Sequence, residues 1–442
     1  MEEKNSPKKE RKMRDSGIPW IGKVPEGWEV MKIGHCFRLK NEKNFLPENK
    51  VQLLSLYTGI GVFPTNSEKS KTSGNHAQTV NGYKIVHKND IVVNIILAWM
   101  GSIGVSDYDG VVSPAYDVYT PDLSKIIPHY AHYVFRTDGI AGECLKYGRG
   151  IMMMRWRTYS SEFKQIKIPF PSLKEQHRIA DYLDSKCSEI DTLIENLHAR
   201  MESTKEYKKA VITEAVTKGL DKDVKMKDSG VEWIGEIPEG WKVARLKQVL
   251  KTPMKYGASE SGVEYSDELP RYIRITDITL DNKLKDTGKL SLTEQQAIGY
   301  LLSEKTVLFA RSGATVGKTF LYKPEYGRAA FAGYMISAIP NNNKIKAEWL
   351  YYYTLSQVYW DWVNSSFSQA TIQNIGADKY SNLPIVIPSL ITQQQIIDYL
   401  DSKCSEIDAL LQNYEDQIST LEEYKKSLIY EYVTGKKEVP AA

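Results

Sequence analysis

A chain of 442 residues is too long for one ordinary core, and 42% hydrophobic with 26% charged residues argues for folded domains rather than disorder. Its 58 basic and 55 acidic residues leave a net charge of only +3, which excludes the strongly basic composition that alone announces nucleic-acid binding; any such charge must be local. Four cysteines (Cys36, Cys144, Cys187 and Cys404) form no CxxC pair and have no histidine at ligand spacing, which argues against zinc.

The chain opens on a polar segment, residues 1–14, holding the basic run Lys8-Lys9-Glu10-Arg11-Lys12-Met13-Arg14. It reads as a disordered tail, either solvated or grazing phosphates. The N-terminus is charged and has no signal-peptide core. The longest apolar stretch, Ile91 to Met100 broken by Asn94, is far too short to span a membrane, so no membrane partner and a cytoplasmic location are expected.

Next comes a segment that is repeated. KMRDSGIPWIGKVPEGWEVMKI at 12–33 returns as KMKDSGVEWIGEIPEGWKVARL at 225–246, with 13 of 22 positions identical. Its Gly and Pro residues mark turns around Trp20, Trp28, Trp233 and Trp241, which are expected to pack against a helix. DYLDSKCSEID at 181–191 returns unchanged at 398–408, and Glu206-Tyr207-Lys208-Lys209 returns at 423–426. The order is A–B–A′–B′, a tandem duplication.

Between the repeats, residues 34–170 and 247–387 diverge. They mix strands (Asp90 to Val93; Thr306 to Phe309) with shorter helices, and IIPHYAHYVF at 126–135 has a loose counterpart in IKAEWLYYYT at 345–354. Neutral drift in loops is one explanation. Two heads that read different targets on a common frame is the other, favoured by strict identity in the frame beside wide divergence in the heads. His129 and His132 are expected on a helix surface.

The second repeated block is a long helix that Ser172 can cap after Pro171. A stripe steps by four and three through Leu183, Cys187, Ile190, Ile194, Leu197, Met201, Thr204, Lys208, Val211 and Ala215, eight of the ten apolar. The second copy repeats them as Leu400, Cys404, Ile407, Leu411, Tyr414, Ile418, Leu421, Lys425, Leu428 and Tyr432. Such a stripe is a coiled-coil seam. The two copies can pair with each other, antiparallel for preference, or each form a separate homodimer. The antiparallel choice places Cys187 and Cys404 at opposite ends, where no disulfide joins them.

Catalytic signatures fail on geometry. Gly313-Ala314-Thr315-Val316-Gly317-Lys318-Thr319 has three residues before Gly-Lys where a phosphate cradle needs four. No Asn/Asp-Pro-Pro-aromatic methyltransferase loop, no spaced acids with lysine and no nucleophile–base pair stand out.

The A–B–A′–B′ order, the Trp-Ile-Gly…Pro-Glu-Gly-Trp openings and the Pro-Ser-Leu-x-x-Gln…Ile-x-x-Tyr-Leu-Asp helix starts at 171–184 and 388–401 resemble type I restriction–modification specificity subunits across residues 15–435. Leu308 to Gly317 also resembles that family's second-domain pattern, whereas residues 96–104 depart from it. The resemblance implies an α+β fold: two mixed target-recognition domains (15–170 and 222–387) joined by two long antiparallel helices (171–221 and 388–435) in a pseudo-twofold tandem repeat, with a tail at 436–442. It implies that each domain reads half of a bipartite site in double-stranded DNA, with the helix pair as ruler. Two methyltransferase (modification) subunits would dock on it, joined by restriction/translocase subunits. S-adenosylmethionine, ATP and Mg would belong to those partners, with no catalytic residue, metal or cofactor on this chain. Arginine, asparagine and glutamine read base edges. The candidates are Arg149, Arg155, Trp156, Arg157 and Tyr159 in the first domain, and Arg271, Arg274, Arg311, Lys318, Gln369, Gln373 and Asn374 in the second. The competing reading is a non-catalytic coiled-coil scaffold that binds protein.

Overall fold

The structure, a computed structural model, describes residues 11–65, 80–151, 156–279, 283–366 and 374–440. The chain divides into two units. One is Met1–Leu197 with Asp416–Ala442; the other is His198–Glu415. Each unit therefore contains part of both long helices, Leu173–Lys218 and Leu390–Val433.

The long helices begin where the chain supplies a stop and a cap. Pro171 and Pro388 end the preceding strands; Ser172 Oγ then accepts from Glu175 N (3.3 Å) and Ser389 Oγ from Thr392 N (3.1 Å). Each ends on a left-handed glycine, Gly219 (φ +80°) and Gly435 (φ +73°). A Cβ at Gly435 would lie 2.5 Å from Pro25 and 3.0 Å from the Trp28 ring, so this close approach admits no side chain.

Within the first unit the helices run antiparallel. Tyr432 donates to Tyr182 (3.2 Å) and Lys425 Nζ pairs with Asp191 (2.6 Å). Leu183, Cys187, Ile190, Leu428 and Tyr432 are buried together with Ile179, Ile429 and Val433. The second unit repeats this: Lys208 Nζ pairs with Asp408 (2.6 Å), while Ala215, Leu400 and Cys404 share a core with Ile212, Val216, Ile396 and Ile397. Lys208 and Lys425, the polar interruptions of the seam, thus each find an aspartate on the opposing helix. Leu197, Met201, Ile407 and Ile418 are also buried; Ile194, Leu411 and Leu421 are half-buried. The four cysteines are free and buried, Cys187 in one core and Cys404 in the other.

The heads share one plan. In the first unit an antiparallel sheet runs in the order Phe37–Lys40, Tyr116–Pro121, Ile91–Asn94, Ile103–Val105. The second has Lys255–Tyr256, Met335–Ala338, Val307–Ala310, Thr319–Leu321 in that order. The helices Pro128–Phe135 and Ala347–Leu355 pack behind these sheets. Both are held by a fully buried glutamine from the Pro-Ser-Leu-x-x-Gln motif. Gln176 Oε1 accepts from Ile127 N (2.9 Å) and its Nε2 donates to Lys125 O and Pro171 O (3.0 Å each). Gln393 does the same with Lys346 N (2.8 Å), Lys344 O (3.2 Å) and Pro388 O (3.1 Å). Tyr133 and Tyr352 donate to Asp184 and Asp401, each at 2.5 Å.

Beyond the shared frame the heads differ. The second adds a four-stranded sheet in which Arg271–Ile273 pairs parallel with Ala329–Phe331, where the first carries the hairpin Leu54–Tyr57/Gly61–Pro64.

Two expectations shift. The basic run joins the fold from Arg11 onward: Met13–Asp15 pairs with Lys23–Pro25, Arg11 bonds Glu175, and Arg14 Nη2 donates to Trp28 O (2.5 Å). His129 is exposed, but His132 is half-buried and accepts from Arg136 Nε (2.9 Å), because its helix face turns under the loop whose Gly59 and Ile60 carbonyls Arg136 also binds. Two of the four repeated tryptophans meet the long helices, whereas the Trp20 ring lies against Gly139 and Trp233 is exposed. Trp28 Nε1 donates to Glu175 (2.8 Å), and Trp241 lies against Gly219.

Candidate nucleic-acid interface

In each head one end of the main sheet is crossed by a returning loop, and the same backbone bond fastens it. Thr158 N donates to Ile95 O (2.9 Å) in the first unit; Ile375 N donates to Arg311 O (2.8 Å) in the second. Of the described candidates, Arg149, Arg157 and Tyr159 lie by the first of these sheet ends and Arg311, Lys318 and Asn374 by the second, whereas Arg271 and Arg274 belong to another sheet of the second head.

In the first unit Arg149 and Arg157 face each other across a two-way backbone bridge (2.9 and 3.0 Å). The Arg149 side chain is 74% exposed and pairs with Glu162 (2.6 Å). Arg157 is exposed and has no side-chain partner among the described residues. Trp156 serves structure: its Nε1 donates to Leu145 O (2.9 Å), a closeness that only glycine at 148 allows. Tyr159 is exposed. Arg155 lies outside the described residues. Next to this loop, Leu97 and Met100 stand exposed on the short turn after strand Ile91–Asn94.

In the second unit Arg271 is nearly buried and donates to Lys285 O (2.6 Å). Arg274 grips Asp277 (2.7 and 3.0 Å) and Gly288 O (2.8 Å), and Lys318 donates to Thr279 O. These three cations are committed to holding the domain together. The run Gly313 to Thr319 is a short turn leading into strand Thr319–Leu321, where a phosphate cradle would lead into a helix. Arg311, at the end of strand Val307–Ala310, differs from them: its guanidinium sits 4.8 Å from the centre of the Tyr256 ring. Asn374 bridges Ser312 on the returning loop. Gln369 and Gln373 lie outside the described residues.

Tyr256 and Tyr334, both exposed, complete this sheet end and were invisible in the sequence. Tyr256 ends a strand and Tyr334 stands in the turn before strand Met335–Ala338, far apart in the chain, so no local spacing marks them. Leu97 and Met100 were missed for another reason: an exposed apolar pair inside an apolar run looks like core. Among the described residues, no group of three or more His, Cys, Asp or Glu could hold a metal ion, and no helix is long and apolar enough to cross a membrane.

The model of the type I restriction modification DNA specificity domain matches this chain twice, at residues 25–202 and 238–420. Over 427 residues the chain is 25% identical to the type I restriction enzyme MjaVIII specificity subunit of Methanocaldococcus jannaschii, covering 94% of each. It is 21% identical to the EcoDI specificity subunit of Escherichia coli, covering 94% of this chain and 90% of that one. A chain from a structural study of complex assembly and conformational transition of the type I R-M system superimposes with a TM-score of 0.67 at 16% identity, covering 94% of this chain and 99% of that one, so the two share a fold. With the domain matched twice over most of its length, and one frame built twice, the chain belongs to the type I restriction–modification DNA specificity family.

Proposed function

We propose that this subunit supplies the address of a type I complex and no chemistry. Each head reads one half of a bipartite site in double-stranded DNA, and the helix pair is both spacer and docking platform for two methyltransferase subunits. Restriction/translocase subunits join that assembly. S-adenosylmethionine, ATP and Mg²⁺ belong to the partners, and the complex works in the cytoplasm.

One observation carries the reading. The two heads repeat the same frame, down to the buried glutamine and the bond that fastens the returning loop, yet differ at the sheet end those features present. A frame conserved within one chain with unlike tips suits two readers of unlike sequence. Linking two modules makes the second docking event intramolecular, so modest half-site affinities multiply. Arg149, Arg157 and Tyr159 serve the first tip, and Arg311 and Asn374 the second. Arg155, Gln369 and Gln373 keep the role their sequence suggests, whereas Arg271, Arg274 and Lys318 act by holding the second head in shape.

The test is to exchange residues 34–170 for another such domain and map methylated bases in the host. One half of a gapped motif should change and the other persist. Change in both halves, or in neither, refutes the reading. A scaffold that only binds protein predicts no gapped motif at all.

A further inference from the structure

We infer that Arg311 reads a guanine in the half-site of the second head, offering two N–H groups to O6 and N7 in the major groove, with Tyr256 as the residue that positions it. The inference rests on the DNA-reading function proposed above and names the base contact.

A guanidinium carries five donors in a planar fork, and folded proteins normally satisfy them. The other candidate arginines of this head follow that rule more closely, each making side-chain hydrogen bonds, although Arg271 Nε is also buried without a partner among the described residues. Arg271 and Arg274 are bonded to carbonyls or a carboxylate within the domain. Among the described residues Arg311 makes no side-chain hydrogen bond, and its Nε is buried without a partner. It is nevertheless held. Its N donates to Tyr334 O (3.0 Å) and its O accepts from Ile375 N (2.8 Å), which fixes the backbone on both sides. The guanidinium lies 4.8 Å from the Tyr256 ring centre. That ring is anchored in turn: Tyr256 pairs with Ile336 in the sheet, and its hydroxyl accepts from Ala377 N (2.9 Å). Stacking of this kind sets the plane of the fork while leaving its donors unspent.

A fixed plane is what bidentate recognition of a base edge requires. A phosphate contact would serve both heads alike, since phosphates carry no sequence and the frame is shared. The first head has Ile95 at the equivalent place, fastened by the equivalent bond to Thr158 N. Within this chain the cation is therefore present on one head and absent at the equivalent place of the other.

The experiment uses the complete modification complex and maps its methylated sites in a host genome. With Arg311→Ala, one guanine of one half-site should accept other bases, its discrimination falling roughly 5- to 150-fold, while the other half-site is unchanged. Tyr256→Leu should loosen the same position and Tyr256→Phe should retain it. A second arm needs no variant. The wild-type complex is given duplexes carrying 7-deazaguanine at one guanine at a time, and one position of that half-site should lose roughly fivefold or more in modification rate. An unchanged motif, a loss spread evenly over all sequences, or indifference to 7-deazaguanine overturns the inference. A wild-type complex that modifies no gapped site at all overturns the proposed function instead.

Discussion

Replacing Gln176 tests whether the repeated helix start is what builds each head. Its side chain is fully buried and satisfies three backbone groups: Ile127 N, Lys125 O and Pro171 O. Gln176→Met keeps the volume and removes every bond. An unsatisfied buried backbone group costs roughly 1–3 kcal/mol, and two of these three sites are only partly buried, so the loss should be about 3 kcal/mol. Gln176→Ala adds an unfilled cavity and should cost about 4 kcal/mol. Amide hydrogen exchange in the full chain reads this locally. A 3 kcal/mol loss should speed exchange in helix Pro128–Phe135 roughly 100-fold and leave Ala347–Leu355 protected. Gln393→Met should produce the mirror result. Loss below about 0.5 kcal/mol, or loosening of both helices by either variant, refutes the reasoning.

Burial, reinforced by the Arg136 guanidinium, pushes the His132 imidazole down to about 3. The folded state keeps it neutral while the unfolded chain takes up a proton below about pH 6.5, so first-unit stability should fall as pH drops, by about 2 kcal/mol at pH 5. His132→Gln should flatten that slope in acid-unfolding curves; an unchanged slope would contradict the assignment. The exposed pairs Lys208–Asp408 and Lys425–Asp191 should contribute little: a double-mutant cycle on either should give a coupling below about 1 kcal/mol that shrinks in high salt.

Much of the frame was legible because its signals are periodic or repeated. Leu183 to Ala215 and Leu400 to Tyr432 declare helices with one apolar stripe, and the copies of Trp-Ile-Gly and Pro-Ser-Leu-x-x-Gln declare two of everything. Even Ile126 and Ile345, matched on a loose pattern, are equivalent buried residues before equivalent helices. The role of Gln176 and Gln393 was not legible, since a glutamine near a helix start reads as solvated until the segment it clamps is placed beside it. Nor could the sequence separate Arg271 and Arg274 from Arg311. All three are arginines near strand ends, and their difference lies in partners: Lys285 O, Asp277 and Gly288 O accept from the first two, while an aromatic ring 55 positions away holds the third. Chain order alone determined that the protein is a duplicated pair of heads on seam-forming helices, because period and repetition are local properties. Which cations remain unspent was decided by tertiary structure alone, because hydrogen-bond satisfaction depends on what long-range folding brings within about 3 Å.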